Sequence, residues 1–141
     1  MAALTITASQ VLLVNGPSAT VTWDTTVTRG MSVRYAPTTG KWGPAQSDND
    51  TTDSGLYGLG IALSDGGAAQ QGVVALPGSL VDLGAGAAAA AGTVYVAPAT
   101  AGNIAPTADV TTTGQFRGIV GLGAGSNRVR VIGVGAESAI P

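Results

Sequence analysis

The chain contains no cysteine and no histidine. The first absence excludes disulfides and thiolate chemistry. The second removes Ser-His-Asp and Cys-His triads, and together they rule out zinc sites built on imidazole or thiolate. Charge is also scarce. Six Lys and Arg and eight Asp and Glu make up 10% of 141 residues, for a net charge of −2, where a soluble domain ordinarily carries about a quarter. So little charge predicts that part of the surface is covered in an assembly. The cations are scattered. Arg128 and Arg130 share a face if they lie on a strand, but two arginines make no nucleic-acid footprint. No apolar run reaches the length of about 18 residues that a membrane span needs, and the first cation is Arg29, so neither a secretion signal nor a membrane partner is expected.

The remaining chemistry is thin. A Ser-Lys pair would have to use Lys41, which lies in a turn-rich stretch beside Trp42. Gly58-Leu59-Gly60 and Gly121-Leu122-Gly123 begin like a dinucleotide fingerprint but lack its third glycine, and they read as tight strand packing. Asp48-Asn49-Asp50-Thr51-Thr52-Asp53 imitates the start of a calcium loop. However, Asp53 stands where glycine is required and Leu59 where the bidentate glutamate belongs, so it reads as a solvated loop. The expectation is a non-enzyme with no cofactor and no metal.

What the chain does have is glycine (22), proline (7) and an apolar content of 45% carried by small aliphatics, with 4% aromatics. It also repeats itself. Val33-Arg34-Tyr35-Ala36-Pro37 through Gly40 to Pro44 is matched by Val94-Tyr95-Val96-Ala97-Pro98 through Gly102 to Pro106. The offset is 61 at the valines, with Ala101 inserted. Thr51-Thr52 to Leu59 matches Thr111-Thr112 to Ile119. The copies end in Gly72-Val73-Val74-Ala75-Leu76 and Arg128-Val129-Arg130-Val131-Ile132. Strands are predicted near 19–23, 31–36, 56–63, 72–76, 93–97, 115–122 and 128–134. Turns are predicted at Thr39-Gly40, Asp65-Gly66-Gly67, Ala101-Gly102-Asn103 and Gly123-Ala124-Gly125. The linker Leu80 to Gly92 permits a turn or two of helix. The fold class is therefore all-β: one small barrel or sandwich of two similar three-strand halves, about 30–80 and 91–135, in pseudo-two-fold relation. Residues 1–29 hold an extended arm and the first strands, and 30–141 the single domain.

The order of these landmarks, from about Gly30 to Gly135, resembles the capsid cement, or decoration, proteins of tailed bacteriophages. The resemblance rests on Gly60-Ile61-Ala62-Leu63, the acidic Gly-rich turn, Gly72 to Gly78, the Ala/Gly linker, Gly92 to Val96 and the closing Arg128 to Gly133. It implies a small β-barrel or tulip-like fold on the outer surface of the virion head. It also implies a homotrimer that reinforces contacts among major capsid protein subunits. Low charge and a long N-terminal segment depart from the family pattern. Two other classes compete: a carbohydrate-binding or adhesin module using Trp23, Trp42 and Tyr35, Tyr57 and Tyr95, and a tail or baseplate component.

Candidate contact residues are Leu4, Ile6, Val11, Leu12 and Leu13 of the arm, with Trp23 and Trp42 as aromatic anchors. Residues 1–14 lie outside the repeat and have no partner within it. The arm is therefore expected to add as a strand to a neighbour, either a second subunit or the coat protein, or else to close its own barrel.

Overall fold

The computed structural model describes residues 3–47, 58–111, 115 and 117–135. These residues form eleven strands and two short 3-10 turns, with no α-helix among them. The strands are β1 Leu12–Asn15, β2 Ser18–Thr22, β3 Ser32–Ala36, β4 Lys41–Pro44, β5 Leu59–Ala62, β6 Gln71–Ala75, β7 Leu80–Asp82, β8 Val94–Val96, β9 Ala105–Pro106, β10 Ile119–Gly125 and β11 Arg128–Val134. They build two antiparallel sheets, ordered β2-β6-β5-β3-β4 and β1-β7-β11-β10-β8-β9. The protein is all-β.

The two orders are the same. Removing β1 from the six-stranded sheet leaves β7-β11-β10-β8-β9, which runs parallel to β2-β6-β5-β3-β4 strand for strand. The registers agree as well. Val33 faces Pro44 and Gly60, as Tyr95 faces Pro106 and Gly121. Ile61 faces Ala75 as Leu122 faces Arg130, and Ala19 faces Val74 as Val81 faces Val129. Each unit thus has five strands, not three. The short edge strands β4 and β9 are not among the predicted strands; each ends in a proline, which is tolerated at a sheet edge. The register also equates Val33 with Tyr95, so the sequence alignment of Val33 with Val94 is out by one residue. In a strand that is the difference between the two faces.

Glycine marks the same spot in both units. A Cβ on Gly60 would lie 2.6 Å from the Ala75 carbonyl oxygen and 2.6 Å from Val74 Cγ1. On Gly121 it would lie 2.4 Å from the Arg130 oxygen and 2.6 Å from Val129 Cγ1. No side chain fits at either place.

The units do not pack as a two-fold pair. The larger core joins Leu59, Ile61 and Ala75 of the five-stranded sheet to Val81, Tyr95, Val129 and Val131 of the other. The counterparts of Tyr95 and Val129 are Val33 and Val74, on the opposite face, and these belong to a second core with Trp23, Val27 and Ala62. One unit therefore lays its first face on the second face of the other, whereas a two-fold would bury the same face of each. Gly133 (φ 67°) brings β11 against β5, and a Cβ there would meet the Leu59 carbonyl at 2.3 Å.

The linker is not helical. Leu80–Asp82 is a strand held on both sides, by β1 and by β11, and this double ladder outweighs the helix propensity of the alanines that follow. Gly84 (φ 92°) then turns the chain, with the Gln10 side chain where a Cβ would stand. The segment Gly123 to Gly125 also continues β10, and the turn falls one step later, at Ser126-Asn127.

Candidate contact surfaces

Alternation along β11 sorts its side chains. Val129 and Val131 are buried, while Arg128, Arg130 and Ile132 point the other way. The outward set continues across the sheet through register: Val94, Leu122, Arg130 and Leu80 form one row, and Leu12, Asp82 and Arg128 another. The large exposed apolar side chains among the described residues are Leu12, Val94, Leu122, Ile132 and Val134. Every one belongs to the six-stranded sheet.

The cations on this face are held sideways. Arg130 Nη1 donates to the Gly78 carbonyl oxygen at 2.7 Å, and Arg128 Nε lies 3.8 Å from Asp82 Oδ2. Arg130 thus leans toward the β6–β7 turn and Arg128 toward Asp82, which leaves one positive charge on this face uncompensated. The face they leave is an apolar plane with a thin polar seam.

The five-stranded sheet behaves differently. Its second face is roofed by the segment after β2 and by the loop between β5 and β6. Val27 and Gly66 exchange two backbone hydrogen bonds, at 2.8 and 2.9 Å. Trp23 lies beneath this roof, fully buried, over two glycines. A Cβ on Gly72 would fall 2.2 Å from the indole, and one on Gly66 2.6 Å. A bridge between Trp23 and Trp42 brings the two edges of the sheet together at one point, with Asp24 N–H donating to the Trp42 carbonyl at 2.8 Å. That single contact does not form a ladder, so the curl is short of a closed barrel. Arg34 braces it from outside through Nη1 to Asp24 Oδ2 at 2.8 Å, and Gly43 leaves room for that carboxylate.

The expected contact residues separate on these grounds. Trp23 is a core residue, which corrects its assignment as a contact anchor. Trp42 is half-buried and packs on its cross-strand partner Tyr35, ring centroids 5.8 Å apart and planes at 59°. Val11 is buried too, a second correction, and Leu4, Ile6 and Leu13 pack against the larger core of their own chain. Leu4 N–H donates to the Ile104 carbonyl at 2.8 Å, and β1 joins β7. In the free chain the arm therefore lies on its own sheet, and of its described apolar residues only Leu12 is strongly exposed, at 64%. Two open clefts flank it, one lined by Ile6, Arg29 and Asn103, the other by Thr5, Ala87 and Tyr95.

An aromatic platform loses two of its members, Trp23 and the buried Tyr95, whose hydroxyl accepts from Ala90 N–H at 2.8 Å. The acidic run Asp48 to Asp53 and Tyr57 lie outside the described residues, as does Phe116. Among the described residues no cluster of three or more Asp, Glu, His or Cys could hold a metal, and no helix is long and apolar enough to cross a membrane. Sequence reasoning missed Val94, Leu122, Ile132 and Val134 as contact candidates. The signal was present in the alternation of Arg128 to Ile132, where every second residue is valine and the others mix arginine with isoleucine. No family model, curated protein or solved structure matches the chain.

Proposed function

We propose that this protein is a non-enzymatic structural component of a virion, a capsid cement protein that binds the outside of the assembled head and reinforces contacts among major capsid protein subunits. The observation that carries the reading is the bare apolar face of the six-stranded sheet on a chain already poor in charge. Such a surface is costly in water and favours a protein that works in an assembly. The order of motifs from Gly30 to Gly135, which resembles the cement family, supplies the choice of assembly. The same resemblance supports self-association as a trimer. It also supports a barrel of the tulip kind as the finer description of the fold, with the curled five-stranded sheet as its most barrel-like part. No nucleic acid, membrane or cofactor enters the proposal.

The test is electron microscopy of particles that contain the chain. A cement protein forms density of this size on the head at a defined copy number. Density confined to the tail or baseplate would overturn the reading.

A further inference from the structure

The two units have the same registers, so equivalent positions can be compared directly. Ile61 is 0% exposed and its counterpart Leu122 is 39% exposed. Ser32 is 0% exposed and its counterpart Val94 is 38% exposed. Ala75 is buried, and its counterpart Arg130 is open. In the five-stranded sheet these positions are the ones that receive the other sheet. In the six-stranded sheet they receive nothing among the described residues. The first face of this unit is thus a sheet-packing face, filled in one copy of the repeat and, in the other, open over β7, β11 and β10 although Val96 and Ala105 at its β8–β9 end are buried.

We infer that this open face is filled by the same face of a second copy of this chain, two six-stranded sheets stacking about a two-fold axis. Two observations favour this occupant. Arg128 lies 3.8 Å from Asp82 and Arg130 donates to the Gly78 carbonyl, so the face keeps a single uncompensated positive charge and no strong field that would select an acidic partner. A second copy offers an apolar plane of matching size and chemistry, with Leu12, Val94, Leu122, Ile132 and Val134 repeated. The area sets the strength. The six strands hold 26 residues in all and cover roughly 400 Å² in projection at about 4.8 Å between strands and about 3.3 Å per residue. That places the contact at the small, weakly associating end of specific interfaces. Because the same patch serves both partners, the contact closes on itself and yields pairs, not fibres.

This inference rests on the proposed self-association but adds a two-fold contact that a simple trimer does not contain, and its test needs no heads, so failure here leaves head binding and the trimer standing. Light scattering on the purified chain, up to about 1 mM, reads the mass of an assembly whose interface is small. The expected mass is an even multiple of the 13.7 kDa chain, either a pair or a trimer of pairs. Leu122→Asp should halve that mass, and Leu12→Lys, at a strongly exposed position on another strand, should weaken association at least tenfold. Both variants should keep the wild-type far-ultraviolet spectrum, because neither site is buried. A single-chain mass for the wild type, an odd multiple, or a mass unmoved by both substitutions would overturn the inference.

Discussion

The two sheets are built to one plan, yet they meet their surroundings in opposite ways. The five-stranded sheet is covered on both faces. Sheet-to-sheet packing covers one, and Trp23, Val27 and the β5–β6 loop roof the other. Among the described residues, the six-stranded sheet is covered on one face and, on the other, is buried at Val96 and Ala105 but open at Val94, Leu122 and Arg130. The counterparts of Trp23 and Val27 in the strand order are Ala85 and Ala89; with no large side chain there, the second face of this unit has no roof of its own and receives the other sheet, with Ala89 in the shared core. A repeat that stacks face to opposite face leaves two ends, and each end needs a cap or a partner. Here one end carries a cap made from its own sequence, and the other has no such cap over Leu122 and Arg130 among the described residues. Fold duplication thus explains the position of the bare surface, and side-chain size explains which end is bare.

That contrast can be broken most severely at Trp23. Trp23→Ala should empty the roofed core and cost about 3–5 kcal/mol, the range for deleting a buried aromatic, read as a fall in the denaturation midpoint. If the loss were under about 1 kcal/mol, within surface-mutation scatter, the second core would not be a structural cap. Next in size is the equivalent pair Ile61 and Leu122. Ile61→Ala should cost about 2–5 kcal/mol, whereas Leu122→Ala in the dissociated chain should stay within about 0.5 kcal/mol. Equal losses would show that the open face is covered within the monomer. Smaller, and symmetric, is the glycine pair. Gly60→Ala and Gly121→Ala each force a Cβ onto a neighbouring backbone oxygen, so each should cost about 1–3 kcal/mol. Tolerance at one site and collapse at the other would separate units that the register makes equivalent.

Much of the architecture was legible in the primary structure, and the gaps have definite causes. The alternation of Val73 to Leu76 and of Arg128 to Ile132 marks two strands, and the Ala-Pro and Thr-Gly landmarks mark a duplication. The duplication could not be placed to the residue. At an offset of 61 the sequence matches Val33 with Val94, Ala36 with Ala97 and Pro37 with Pro98, and only the ladder partners, Pro44 and Pro106, show that the structural offset is 62. That one step reverses the faces, so the head-to-tail packing of the sheets was hidden with it. Trp23 looked like a contact anchor because large aromatics favour interfaces. The glycines that receive its ring, Gly66 and Gly72, lie more than forty positions along the chain, and nothing local announces that pairing.

The smallest effect lies at the turn where the units diverge. In the first unit Leu63 to Gln70 connect β5 to β6, and this loop supplies part of the roof. In the second, two residues, Ser126 and Asn127, connect β10 to β11. Both have positive φ, 54° and 63°, the signature of a tight hairpin turn with two left-handed residues. Asparagine suits such a backbone and is fastened besides: Asn127 Oδ1 accepts from Ala88 N–H at 2.8 Å and its carbonyl accepts from Leu83 N–H at 2.9 Å. Serine at the first position is the less comfortable residue. Ser126→Gly removes that strain but loosens the unfolded chain by about 0.4–1 kcal/mol, so the two terms nearly cancel. Ser126→Asn keeps the unfolded chain restrained and tolerates the left-handed backbone, so it should stabilise by a few tenths of a kcal/mol and exceed the glycine variant. Chemical denaturation of the two variants side by side measures that order. Destabilisation by asparagine would mean that Ser126 makes a contact in solution that the turn geometry alone does not account for.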